Sequence, residues 1–373
     1  MSGNINKKAA VITLHSVCNY GTQLQAYATQ EKLKEYFGEV TFINYKRNDT
    51  YGLGLLRTFT KGNILKAPII LPTLLCWKFK FGRFQKKYLR LTGETYLKDS
   101  DFDNFKDCAD VYFVGSDQMW NCGWNKGVIK PYYLHFVPQG KPKYAYASSF
   151  GQKQVEERFV EESKDYLQQF NYITVRENSG IDILKKQYGY RNVERILDPT
   201  LVMPAEFWRK IAPVSKIKGD YILIYNLQRN AAFDHYAKEL EKRTGYKLYR
   251  FCTRFDQMIK NGKSLLIPDI LEFITLIDNA KLVLTDSFHA TAFSMNMNTE
   301  PICIYPKEYS GRLSEFLELV QEEKRHINSY EDFDVINRHV NFEQVNKILE
   351  EERKKVDGIL QAIVEEVYQN EKD

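Results

Sequence analysis

The sequence predicts an α/β protein of two Rossmann-like domains. Short β-branched or aromatic runs alternate with amphipathic helical runs through most of the chain, and the series restarts after the Asp198-Pro199 turn. The 373 residues supply about two domains of roughly 150 residues each. Alternation of this kind specifies parallel βα units, with ligands held outside the carboxyl ends of the strands.

In the first series, residues 8–14 read as a buried strand, 20–37 as a helix and 40–44 as the next strand. The strand signal returns at 110–115, 143–147 and 172–175, with helices over 155–168 and 179–187. The second series places strands at 221–225, 246–251, 281–285 and 302–305, and helices at 231–244, 269–279 and 287–297. A first domain over residues 1–205 and a second over 206–340 follow, with Pro204 and Pro213 bracketing a short helix at the divide. From 341 to 370 the apolar set Val345, Ile348, Leu349, Val356, Ile359, Leu360 and Ile363 has helical period. This predicts a last helix crossing back onto the first domain.

One segment, 48–107, breaks the rhythm and is expected to be an insert in the first domain. An apolar run at 67–77, interrupted by Pro68 and Pro72, is followed by Lys78, Lys80, Arg83, Lys86, Lys87 and Arg90. Between Lys46 and Arg90 there are 11 basic residues and one acid, Asp49, whereas the rest of the chain has 42 basic against 47 acidic residues. The net +5 is therefore local, which argues against a general nucleic-acid-binding surface. Two readings of the segment stand: residues 67–90 contact an anionic membrane surface, or the segment is a helical pair whose basic face is solvated.

Hydrophobic residues at 43% and charged residues at 27% are near the globular average, which excludes a disordered chain. An aromatic content of 14% suits a sugar-handling site, although large cores also use aromatics. Six cysteines without a CxxC pair exclude a zinc ribbon or a disulfide framework and predict a reducing, cytoplasmic setting. The polar start at residues 1–8 lacks a signal-peptide core. No apolar stretch approaches the ~18 residues of a membrane span. A cytoplasmic protein, peripheral at the inner face of the membrane if residues 67–90 touch lipid, is the expectation.

Four segments after predicted strands carry candidate chemistry. His15-Ser16-Val17-Cys18-Asn19-Tyr20-Gly21 offers backbone amides and a helix start for an anion or hydroxyls; a structural turn explains it equally well. Its single glycine makes neither a Rossmann fingerprint nor a P-loop. Gly115-Ser116-Asp117-Gln118-Met119-Trp120-Asn121 combines acceptors, donors and an aromatic face, as a sugar requires; the plain alternative is a polar turn with Trp120 in the core. Arg176, in Thr174-Val175-Arg176-Glu177, is either a fork for carboxylate or phosphate or a surface partner of Glu177. In Leu284-Thr285-Asp286-Ser287-Phe288-His289, Asp286 or Ser287 caps a helix and His289 falls in its first turn, where an acid–base group would meet a phosphorylated donor; a capping or core histidine is the plainer and commoner alternative. Arg312, within Tyr309-Ser310-Gly311-Arg312-Leu313, follows the next strand. Metal-ligand spacing, HExxH and GxSxG motifs are absent from the sequence, so a metal-free, non-serine-hydrolase chemistry is expected.

Taken in order, these segments, with Tyr146-Ala147-Ser148-Ser149-Phe150-Gly151 and Leu197-Asp198-Pro199-Thr200-Leu201, resemble the polysaccharide pyruvyl transferase family over roughly residues 8–320. The resemblance leaves out 48–107 and the C-terminal helix. It implies a GT-B-like pair of domains with an interdomain cleft, phosphoenolpyruvate as donor substrate with no cofactor, and a sugar hydroxyl pair, free or lipid-linked, as acceptor. It also implies His289 as the proton-transfer residue and Arg176 and Arg312 as donor ligands. Some members carry arginine-leucine where this chain has Ser287-Phe288, which removes one donor contact or passes it to Ser287. Asp117 is expected to orient or deprotonate the acceptor, with Asn19, Ser116 and Gln118 as further substrate contacts. A GT-B glycosyltransferase using a nucleotide sugar and a non-catalytic carbohydrate-binding protein are the alternatives.

Overall fold

The computed structural model describes residues 6–228, 231–305 and 311–369. These residues form two compact units. The first holds the chain up to Thr58, Arg83–Val202 and the chain from Glu351 on; the second holds Phe59–Gly82 and Met203–Glu350.

The first unit is built on a parallel sheet of β1 (Lys8–Ile12), β2 (Glu39–Tyr45), β3 (Leu91–Tyr96), β4 (Val111–Val114), β5 (Lys143–Ser148), β6 (Tyr172–Val175) and β7 (Val193–Arg195), in the order β3-β2-β1-β4-β5-β6-β7. In the second unit, β8 (Tyr221–Tyr225), β9 (Lys247–Cys252), β10 (Lys263–Leu266), β11 (Leu282–Thr285) and β12 (Glu300–Cys303) form a parallel sheet ordered β10-β9-β8-β11-β12. Both sheets run outward in both directions from their first strand, the doubly wound Rossmann plan. Each therefore has a topological switch point beside that strand, where backbone ends diverge and ligands bind. The switch points lie between β1 and β4 and between β8 and β11.

Helices cover the sheet faces, so the inner strands are apolar throughout rather than alternating. Val111–Val114 and Tyr221–Tyr225 are buried at every position. The helix Tyr20–Leu33 is buried nearly all round despite its glutamines. Gln23 donates to the carbonyls of His15 and Val17, Gln25 to Thr13 Oγ1 and Gln30 to the Tyr88 carbonyl, which offsets their desolvation.

The 48–107 segment departs from the expected insert in the first domain. It contains the helices Gly52–Thr60 and Ala67–Tyr88 and then β3, and Phe59–Gly82 belongs to the second unit. The cause lies in the inward face of the longer helix. The Trp77 indole donates to the Thr253 carbonyl at 2.8 Å, Thr73 Oγ1 accepts from the Phe255 amide at 3.2 Å, and Lys80 pairs with Asp269 at 3.3 Å. Pro72 lies inside this helix, which hid its continuity from the sequence pattern.

The last helix spans Phe342–Gln369, and residue 370 of the expected range lies outside the described residues. From Glu351 it is part of the first unit, burying Val356, Leu360, Ile363 and Val367; Arg195 pairs with Glu352 at 2.7 Å and Asn171 donates to Glu366 at 2.8 Å. Residues Phe342–Glu350 belong to the second unit. Among the described residues no helix is long and apolar enough to cross a membrane. Residues 1–5 of the polar start lie outside the described residues.

Candidate active-site clusters

In the first unit a buried polar network sits at the β1/β4 switch point. β4 delivers Ser116 and Asp117, and the β1 exit leads to the helix capped by Asn19, whose Oδ1 accepts from the Thr22 amide at 3.2 Å. Asp117 has φ +78°, a left-handed conformation that an aspartate tolerates better than most residues. Its carboxylate accepts from the Thr22 hydroxyl at 2.7 Å and from the Gln118 amide at 2.9 Å. The first of these bonds spans the switch point.

Arg176, at the exit of β6, reaches the same carboxylate. Its Nη2 is 3.3 Å from Asp117 Oδ1 and its Nη1 is 2.5 Å from Asp198 Oδ2. Burial opposes the guanidinium's charge, but Asp198 and Asp117 hold its pKa above the usual arginine value. Asp198 follows β7 and is fixed further by the Thr200 amide and hydroxyl at 2.9 and 2.7 Å. Glu177 adds to the favourable charge around Arg176, but both residues are buried, not a surface pair. Glu177 turns inward and accepts from the Ser149 hydroxyl at 2.6 Å and from the Phe150 and Gly151 amides. Arg176 is thus a buried clamp between two acids rather than a fork presented at a surface.

The other predicted residues of this unit divide by burial. Ser116 is fully buried, its hydroxyl 3.4 Å from Asp198. Trp120 is also core, donating to the Tyr132 carbonyl at 2.8 Å and packed against Tyr133 and Phe150, so the expected sugar-stacking face is absent. Asn19 and Gln118 are partly exposed, and Gln118 Oε1 accepts from Asn121.

The second cluster lies at the β8/β11 switch point. Thr285, at the end of β11, donates to the Tyr225 carbonyl at 2.7 Å and accepts from the Ser287 amide at 3.0 Å. Ser287 is the N-cap of Phe288–Met297, its hydroxyl accepting from the Ala290 amide at 3.4 Å. Asp286, the other cap candidate, turns across the switch point. It accepts from the Leu227 and Gln228 amides at 2.7 and 2.8 Å and from Asn226 Nδ2 at 3.0 Å. Burial raises its pKa, and the two backbone amides oppose that rise. His289 sits in the first helical turn, largely buried, its ring edge-on to Phe288 at 5.3 Å. The Arg312 guanidinium lies 5.9 Å from the Phe288 ring. Ser287 and His289 thus open one helix, and Arg312 approaches the ring of the intervening Phe288; Tyr309 and Ser310 of that last motif lie outside the described residues.

Thr22, Asp198 and Asp286 complete these clusters although the sequence singled out none of them as a site residue. A usable signal existed for Asp198, an acid-proline pair directly after a strand, and for Asp286, an acid ending an apolar strand. Thr22 carried none.

The sequence model of the polysaccharide pyruvyl transferase family matches residues 19–308. The chain belongs to that family. The match includes both clusters up to His289 but not Arg312. Comparison with curated proteins returns no match. Among solved structures, a putative UDP-N-acetylglucosamine 2-epimerase from Listeria monocytogenes is similar in fold, with TM-score 0.53, 12% identity and 97% of each chain covered. Arabidopsis thaliana UGT89C1 complexed with quercetin is also similar, with TM-score 0.49, 9% identity, and 97% of this chain and 99% of that chain covered. The likeness to the epimerase agrees with the expected fold of two Rossmann-like domains.

Proposed function

We propose that this family member transfers the pyruvyl group of phosphoenolpyruvate to a pair of hydroxyls on a sugar of a polysaccharide or oligosaccharide precursor. The product is a pyruvate ketal, and phosphate is released. The observation that carries the reading, beside family membership, is the placement of His289 in the first turn of a buried helix at the switch point of the second sheet, just after the cap Ser287 and with the Arg312 guanidinium 5.9 Å from the intervening Phe288 ring.

The donor has a carboxylate and a phosphate. The amide end of Phe288–Met297 and the Arg312 guanidinium supply complementary charge, and Ser287 contributes a hydroxyl. His289 delivers a proton to the methylene carbon of the donor, which makes the neighbouring carbon electrophilic. One sugar hydroxyl attacks that carbon; the C–O bond to phosphate breaks; the second hydroxyl closes the ketal. The two hydroxyls release two protons, one matching that added to carbon and the other leaving with phosphate. A histidine serves both directions of transfer.

In the first unit Asp117 orients or deprotonates an acceptor hydroxyl, with Asn19 and Gln118 as the partly exposed polar contacts. Arg176 acts through Asp117: held between two acids, it fixes that carboxylate in place, a positioning role in place of the expected donor contact.

The test is phosphate release from phosphoenolpyruvate across a panel of free and lipid-linked glycosides, with mass spectrometry of the products. A gain of the pyruvyl ketal mass is expected. With an acceptor in hand, His289→Ala lowers kcat by about 10²- to 10⁴-fold, the usual contribution of a positioned acid–base group. Turnover within a few-fold of wild type would remove His289 from the reaction. Tight binding of a nucleoside diphosphate with none of phosphoenolpyruvate would replace the reading by nucleotide-sugar chemistry.

A further inference from the structure

The helix Ala67–Tyr88 has two faces of opposite purpose. Inward, Thr73, Leu74, Trp77 and Phe81 are buried, and the bonds from Trp77 and Thr73 to Thr253 and Phe255 fix its orientation in the second unit. Outward, Leu71, Leu75 and Phe79 recur at every fourth residue and are all exposed, Phe79 to 64%; Ile69 is exposed to 66% and Leu65, just before the helix, to 82%. Scattered exposed leucines are ordinary, but a row of large apolar side chains along one helix is not. The Thr73–Phe255 bond brings a second element beside this helix. Its following turn exposes Met258 and Ile259, the latter to 87%.

Basic charge predominates around this row, the acids of the neighbouring elements being compensated: Asp256 is paired with Arg254 and Asp269 with Lys80. Lys61, Lys66 and Lys78 are exposed in the same stretch of the second unit, and Asp49 is the only acid between Lys46 and Arg90. A second copy of the chain is a poor occupant, because a two-fold contact places the same basic patch against itself. An anionic bilayer is a good one. Exposed apolar residues enter the headgroup boundary while lysines bind acidic lipid, and no spanning segment is needed. We propose that the outward face of residues 65–79, with the 258–259 turn beside it, docks this protein on an anionic membrane surface. The proposal is independent of the reaction assigned above, although it suits an acceptor carried on a lipid.

Co-sedimentation with vesicles tests it, using the full chain with phosphatidylcholine alone or mixed with phosphatidylglycerol, at low and high salt. Binding is expected only to the mixed vesicles and is expected to weaken with salt. Leu75→Gln with Phe79→Gln, on the solvent side of the helix, lowers partition about tenfold with unchanged circular dichroism. Lys66→Glu with Lys78→Glu lowers it at least as far, since each basic residue near the surface contributes about fivefold. Absence of binding to mixed vesicles at low salt, or binding unchanged in both variants, would overturn the proposal. So would sedimentation equilibrium showing a wild-type dimer that Leu75→Gln with Phe79→Gln converts to monomer.

Discussion

Two titratable side chains in the first unit show how burial sets a residue's behaviour. Arg176 keeps its charge inside because two carboxylates compensate it, and the remaining acceptor capacity of Asp198 is filled by Thr200. His15 has no such charge nearby. Burial, only partly opposed by its bonds to Asn44 and the Thr13 carbonyl, lowers its pKa from 6.5 to about 4. The unfolded chain takes up the proton below pH 6.5 while the folded protein does so only near 4, so folding stability is lost as pH falls through that window. The loss amounts to about 3 kcal/mol for this one group. Urea unfolding at pH 7 and pH 4.5 checks it: His15→Gln should flatten the difference between the two, and an unchanged difference would show that His15 is not its source.

At the scale of elements, the first cluster depends on short connections with left-handed backbone, at Asp117 and Gly151. The loop after β5 is held by three bonds to Glu177 Oε1, from the Ser149 hydroxyl and the Phe150 and Gly151 amides. Gly151 has φ +64°, and a Cβ there would stand 2.6 Å from Gln118 Oε1 and 2.8 Å from Asn121 Nδ2. Gly151→Ala should therefore destabilise by about 1–2 kcal/mol from backbone conformation alone and displace Gln118 as well. A thermal melt reads the first effect, and an increase in KM for the acceptor larger than the change in kcat reads the second. The sequence pattern missed β3, β7 and β10, all of them edge strands. Their residues are partly exposed, Leu91–Tyr96 and Lys263–Leu266 being mostly so, and without continuous burial they lack the apolar run that marks the inner strands.

For the molecule as a whole, the chain's path matters more than its domain order. The first unit is assembled from three stretches of sequence, the last being the C-terminal helix from Glu351 on. Leu360 is completely buried there. Leu360→Ala should cost about 2–5 kcal/mol, the range for truncating a core leucine, seen as a lower urea midpoint with an unchanged m-value. A loss under 0.5 kcal/mol would mean that this helix adds little to the unit.

The sequence alone determined the α/β class, the inner strands and the presence of an acid, a histidine and two arginines just beyond strand ends. Apolar period and strand-end polarity are local properties, written in adjacent residues. Tertiary structure alone decided that Arg176 lies between Asp117 and Asp198, 59 and 22 residues away, and that residues 59–82 join the second unit. Those outcomes follow from strand order and from which face of a helix finds partners, and neither is encoded in any single stretch of chain.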